Sequence, residues 1–211
     1  KKIAFLHSQM KKRNKIIIIS SIFALAAIGV AILILQGSHK PEFDLDEFHL
    51  HLGDEEYDKL SGFRDEARKI GYLKRSEDDF VAADVTYLNE QITGQARLKG
   101  DWTDHLIEDK WSFRIKLDDP MKDGLQVFSV QNPKSRDFLN AYVYHHLLKE
   151  EGVLTNEYRF IELFVNEESW GIYCLEEHLT DRMISQQNKP RGVILKFKDD
   201  VYFDAAIDSL E

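Results

Sequence analysis

One cysteine, Cys174, is all this chain has, so no internal disulfide can form and the fold has to stand on its apolar core. With no cysteine near the apolar N-terminal stretch, lipid attachment of the bacterial lipoprotein kind is excluded as well. Internal repeats and low-complexity tracts are missing, which excludes a repeat array. Basic residues are scarce over most of the length. Six of the 28 Lys and Arg residues fall within residues 1–15, which hold no acid, so the remaining 22 face all 37 acids, a net charge of −15. A region that acidic repels nucleic acid and an anionic membrane surface, and neither is expected as its main partner.

What stands out first is an apolar run. Ile16 to Leu35 spans 20 residues without a charge, long enough as a helix, at about 1.5 Å per residue, to cross the hydrocarbon core of a bilayer. Lys11, Lys12, Arg13 and Lys15 precede it and only Lys40 follows closely, which places the N-terminus in the cytoplasm. A cleavable signal peptide would have a shorter apolar region and a small-x-small site, whereas the sequence from Leu35 reads LQGSHK. The expected organisation is a cytoplasmic basic N-terminus over 1–15, a transmembrane signal anchor over 16–35, a linker over 36–42 and one domain over 43–211 outside the cytoplasm. Met10 opens MKKRNKIIII and is the expected start of translation. The acidic run ending at Glu211 shows no closing element, so the chain is expected to be an N-terminal fragment of a longer protein.

Within the domain, Phe48, Leu50 and Leu52 alternate with His49 and His51 and predict a strand over 43–52. The two histidines share a strand face, but with no third ligand near in sequence they are expected to be surface or hydrogen-bonded residues. Asp54 is expected to cap a helix with Tyr57, Leu60, Ala67 and Ile70 as its inner stripe and Gly71 as its stop. Phe80–Leu88 and Ile92–Lys99 predict a hairpin around Asn89-Glu90-Gln91, and Gly124–Gln131 a further strand. Ser135 is expected to cap a helix running to Glu151, with Phe138, Leu139, Tyr142, Val143, His146 and Leu147 as its apolar stripe. Tyr158–Val165 reads as a central strand covered on both faces, turned back by Asn166–Ser169. A short helix over His178–Gln187 and a strand over Gly192–Lys198 follow.

The stretch from Gly94 to Leu117, GQARLKGDWTDHLIEDKWSFRIKL, is the most informative. Its second half alternates strictly, so Trp111, Phe113, Ile115 and Leu117 point one way and Lys110, Ser112, Arg114 and Lys116 the other. The cationic face has two readings: a solvated strand edge, or a rigid row of charges for a polyanion such as a nucleoside triphosphate. The loop Gly100–Asp109 between the two runs is either a cover for such a ligand or a polar connection.

Separated motifs add a resemblance. LKGDW followed by KWSFRIKL resembles the signature of the spore-coat-protein-H (CotH) kinase family, in which R-G-N-S or a variant precedes K-K-S-[FY]-R-I-K-[LF]; here Lys99-Gly100-Asp101-Trp102 stands in place of R-G-N-S. Arg136 occupies the place of a basic residue near a helix start. GIYCLEE, Gly171–Glu177, is similar to the family's G-[LI]-Y-x-x-x-E and lays Glu177 on the family glutamate, which from the residues alone is an acid at a strand end or in a first helical turn. Lys196 falls where the family commonly has a lysine.

The resemblance implies an α+β fold: a single N-terminal transmembrane helix followed by part of an atypical protein-kinase-like domain, mostly antiparallel sheet with packed helices. It implies ATP-dependent phosphorylation of Ser or Thr on proteins, at the spore coat or cell envelope. By analogy with the kinase lysine–glutamate pair, Glu177 is the catalytic acid that orients Lys116, the leading phosphate ligand. Lys110 and Arg114 are its alternates, and Arg136 and Lys196 are further cofactor-binding residues. The aspartates that bind Mg2+ and act as base are expected beyond Glu211, so the fragment alone is expected to be inactive and to hold no metal ligand. Expected partners are ATP, a protein substrate and the membrane through one helix, with no nucleic acid. The alternative is a non-catalytic, membrane-anchored binding or scaffold domain of the cell envelope.

Overall fold

Alternating apolar residues and tight turns build most of this domain. The computed structural model describes residues 44–74, 76–107, 109–190 and 192–195. Strand β1 (Glu47–His51) is followed by helix α1 (Asp54–Ile70), then by the hairpin β2 (Val81–Tyr87) and β3 (Glu90–Leu98). Leu88 and Asn89 turn that hairpin with φ of 50° and 61°, the mirror-image turn whose twist matches the flanking strands. Strands β4 (Phe113–Leu117) and β5 (Val127–Gln131), helix α2 (Asn140–Glu150), strands β6 (Tyr158–Val165) and β7 (Glu168–Glu177) and the short helix α3 (Asp181–Gln186) complete it.

The expected architecture is corrected at this level. Instead of an antiparallel sheet with packed helices, the seven strands close into a barrel in the order β1-β2-β3-β4-β5-β7-β6. All neighbours are antiparallel except β1 and β6, which run parallel, with Phe48 opposite Leu163 and Leu50 opposite Val165. That one pairing joins the first strand to the sixth and leaves no free edge, a long-range choice that local alternation does not encode. The expected membrane helix over 16–35 lies outside the described residues. Among the described residues no helix is long and apolar enough to cross a membrane.

The barrel interior is apolar. Phe48, Leu50, Val85, Ala96, Phe113, Ile115, Phe128, Val130, Ile161, Leu163, Tyr173 and Leu175 are buried in one continuous core. Trp111 and Leu117 join it, so the apolar face expected from Trp111 to Leu117 is the inner face. Helix α1 adds Leu60 and Ala67 to the same core, with Tyr57 stacked on Trp111 at 5.1 Å. Its cap is Gly53 rather than Asp54, which becomes the first helical residue, and Gly71 ends it with φ of 92°.

Helix α2 departs from expectation. Ser135 lies in a 3-10 turn over Pro133–Arg136, and the chain then passes through two left-handed residues, Asp137 and Phe138, before the helix starts at Asn140. None of its residues is fully buried, and Phe138, Leu139 and Leu147 are more than half exposed. Its inner side is aromatic: His145 stacks on Tyr158 at 5.3 Å and Tyr142 packs on Phe160 at 5.3 Å.

Candidate functional site

Strand register sorts the polar residues onto two faces. On the outer wall, Arg97 pairs with Arg114, Arg114 with Ser129, Ser129 with Glu176 and Glu176 with Tyr158, which makes one row across five strands. The neighbouring outer row contains Gln131, Cys174 and Phe160. Lys99 joins it through a ladder bond from its N–H to the carbonyl of Ser112, 2.8 Å. Two parallel rows on rigid strands therefore carry Lys99, Gln131, Glu176 and Arg114 on one face.

The centre of this face is a relay. Lys99 Nζ donates to Gln131 Oε1 at 2.7 Å, and Gln131 Nε2 donates to Glu176 Oε2 at 2.8 Å. The ammonium lies 3.7 Å from the same carboxylate oxygen, and the lysine side chain is only 12% exposed. Burial pushes the Lys99 ammonium down to about 8; Glu176 opposes that shift, while Arg136 and Arg114 reinforce it. Arg114 in turn lies 3.0 Å from His178 Nδ1. The face offers donors, and its positive charge is raised by guanidiniums near a largely desolvated lysine, the kind of setting in which an anion forms charge-assisted hydrogen bonds.

A buried histidine shapes the turn after Lys99. His105 Nδ1 lies 3.1 Å from Ser112 Oγ, which also accepts the N–H of Asn132 at 3.1 Å. Burial and the nearby Lys99 push His105 down to about 3, so it stays neutral. Gly100 sits against this ring with φ of 111°, and a Cβ there would come within 2.6 Å of His105. The K-G step is therefore fixed by the pairing of His105 with Ser112.

The other face tells a different story for Glu177. The alternation that turns Tyr173 and Leu175 inward turns Glu177 inward too, and it is 3% exposed. Arg182 of α3 closes on it, donating from Nη1 to Glu177 Oε1 at 2.7 Å and from Nη2 to Glu157 and Asp123 at 3.1 and 3.0 Å. Arg159 adds contacts to Glu157 at 3.0 Å and Asp123 at 3.5 Å, and donates to Tyr87 Oη at 3.1 Å. Two guanidiniums and three carboxylates thus pair with one another at the barrel end, with Arg159 Nε left without a hydrogen-bond partner.

The structure does not bring the expected pair together. Lys116 is opposite Val127, one position out of step with Phe128, which faces Glu177, so the lysine and the acid lie on opposite faces of the wall. Lys116 binds Glu77 at 2.6 Å and lies 4.2 Å over the ring of Phe80. Lys110 precedes β4 and is exposed, with its ammonium where a Cβ on Gly171 would lie 3.4 Å away. Arg114 does face the relay, and Arg136, exposed at the end of its 3-10 turn, acts on Lys99 through its charge. Lys196 lies outside the described residues. Lys99, Gln131 and Glu176 escaped the sequence reading, although the alternation from Tyr173 to Glu177 already set Glu176 on the side opposite Glu177.

The Lys99–Gln131–Glu176 relay thus lies on the outer wall of a closed barrel. The family model described as CotH kinase protein matches residues 96–209, more than half of the chain, and the chain belongs to that family. The match begins within β3, so Lys99, Arg114, Gln131, Arg136, Glu176 and Glu177 all fall inside it, while β1, α1 and β2 precede it. No curated protein matches the chain.

Proposed function

We propose that this chain supplies the nucleotide-binding part of an ATP-dependent protein Ser/Thr kinase that acts outside the cytoplasm. Family membership supports a kinase-like role. The observation that carries the reading further is the relay face, where Lys99 and Glu176 meet across a buried amide with Arg114 and Arg136 close enough to act on the lysine. Phosphoryl transfer needs cations held in place more than it needs covalent chemistry, and side chains on barrel strands meet that need. Phosphate oxygens at this face would take charge-assisted hydrogen bonds from the ammonium and the guanidiniums.

Among the described residues no group of three or more His, Cys, Asp or Glu is placed to hold a metal ion. The protein substrate is met at the phosphate end of the nucleotide. The uncharged run over 16–35 and the basic flank before it favour an extracytoplasmic domain.

The test is transfer of labelled phosphate from ATP, with magnesium, to protein by the complete protein in membranes. Transfer is expected on Ser or Thr, and a folded protein that binds ATP but transfers nothing would leave the binding-domain alternative in its place. A reporter fused behind the domain is expected outside the cytoplasm, and a cytoplasmic reporter overturns the location.

A further inference from the structure

We propose that the outer face of helix α2 is an internal docking surface, covered by this chain's own segment Val201–Leu210. The proposal is independent of nucleotide binding and concerns how the domain is closed on the side of β6.

Helix α2 is apolar on two sides, and the barrel uses one of them. Tyr142 and His145 face inward onto Phe160 and Tyr158. Leu139, Val143 and Leu147 recur every four residues, which sets them on one stripe of the helix. Leu139 belongs to that stripe because its backbone, at the cap, already has right-handed helical angles. The three are 59%, 47% and 58% exposed, and Phe138 beside them is 59% exposed. Single exposed apolar side chains are ordinary, but a contiguous stripe of them is the mark of a surface that another element covers.

The occupant is indicated by where the chain goes next. Gln187 holds the backbone of Thr155, donating to its carbonyl at 2.6 Å and accepting its N–H at 3.2 Å. Lys189 Nζ donates to the carbonyl of Gly152 at 3.1 Å. The chain is thus pinned beside the C-terminal end of α2 when it leaves α3, and Val201 follows Lys189 by 12 positions. A partner tethered that close meets the stripe as an intramolecular event at high effective concentration. The family match continues to residue 209, so this segment belongs to the same domain as the barrel.

Residues 196–211 lie outside the described residues, and the argument for the segment is its pattern. Phe203, Ala206, Ile207 and Leu210 recur at helical spacing, with Asp204, Asp208 and Glu211 off that stripe. As a helix the segment would span about 15 Å, against about 16 Å for α2, at 1.5 Å per residue. Starting from the end where the chain is pinned, it would run antiparallel to α2, with Phe203 against Leu147 and Leu210 against Leu139. Charge agrees with this choice. Lys134, Arg136, Lys149 and Lys189 outnumber Asp137, Glu150 and Glu151 around the face, whereas Asp199–Glu211 has five acids and no base.

Engineered disulfides test the contact in the complete protein, whose own Cys174 is buried. Leu147→Cys with Phe203→Cys, and Leu139→Cys with Leu210→Cys, are expected to oxidise to an intramolecular disulfide at least ten times faster than Lys69→Cys with Phe203→Cys. On a non-reducing gel the product is expected at the mass of one chain. A product at twice that mass would assign the stripe to a second copy and overturn the proposal. Oxidation no faster than in the control overturns it as well, leaving the face to a different partner.

Hydrogen exchange gives an independent readout without new cysteines. Phe203→Asp combined with Ile207→Asp is expected to speed amide exchange in α2 at least tenfold while β3 and β4 keep the parent's rates. Exchange in α2 that is unchanged by this double substitution overturns the proposal. Should the barrel strands speed up with α2, the disulfide rates decide alone.

Discussion

Glu177 faces the interior of the barrel and Glu176, one residue earlier, faces its outer wall, so neighbouring acids of β7 serve two unlike clusters. At the barrel end, Arg159 and Arg182 meet Glu157, Glu177 and Asp123, and each guanidinium has at least two carboxylates within ion-pair reach. On the outer wall, the charges acting on Lys99 are one carboxylate and two guanidiniums. In the first cluster every carboxylate has a guanidinium partner, and in the second the cation is penalised by burial and by two like charges. A lock and the proposed receptor differ here in charge balance more than in residue types. The glutamate that the family pattern singles out belongs to the lock.

The largest expected effect breaks the lock. Arg182→Met leaves Glu177 buried without its cation, and breaking a buried pair in this way costs about 3–5 kcal/mol. Urea unfolding would show it as a large fall in midpoint, whereas Glu177→Gln, which keeps a hydrogen-bond acceptor for Arg182, should cost only about 1–3 kcal/mol. If Arg182→Met unfolds at the parent's midpoint, the cluster is not a lock and the contrast with the outer wall collapses.

The receptor is expected to show itself through pH. In the folded protein the Lys99 ammonium is held at about 8, below the ordinary lysine value of 10.5. Between those values the unfolded chain carries more protons than the folded one, so stability rises as pH rises from about 8 to 10.5, by roughly 3 kcal/mol in total. Urea unfolding of the parent and of Lys99→Met at both ends of that window isolates the contribution, because other titrating groups cancel in the difference. Identical slopes in the two proteins would mean that Lys99 is not penalised in the fold.

A smaller effect concerns the turn that presents Lys99. Gly100→Ala places a methyl group against the ring of His105 and asks alanine to hold a φ of 111°, which should cost about 1–3 kcal/mol. ATP affinity should fall with it, since the K-G step would have to shift. Stability loss without any change in affinity would detach this turn from the receptor.

The smallest effect is expected at Lys116. Its partner Glu77 is fully exposed to solvent, and the lysine itself is 40% exposed. Lys116→Ala should hardly move the urea midpoint and should leave ATP affinity unchanged. A marked loss of affinity in this variant would return the phosphate grip to β4.

Much of this was legible locally. The alternation of Trp111, Phe113, Ile115 and Leu117 marks the inner face of the barrel without any knowledge of the barrel. The helix ending at Gly71 and the hairpin between β2 and β3 follow from caps and turns that act over a few residues. The stripe on α2 was legible as apolar, but an amphipathic pattern states that a face is apolar and not whether a neighbouring element covers it. Phe138, Leu139 and Leu147 remain largely exposed among the described residues.

The site was legible in kind and not in place. The sequence by itself determined that cations and a glutamate are carried on short strands, that the family motifs lie within 96–209, and that Glu176 and Glu177 face opposite ways, since side chains alternate along any strand. Only the tertiary structure decided which cation meets which acid. Lys99 and Glu176 are 77 positions apart and meet because β4 and β5 lie between β3 and β7 in the barrel, and register between strands is set by pairing across the whole sheet. Closure of β1 onto β6 is a decision of the same kind, made by long-range hydrogen bonds that no window of local sequence contains.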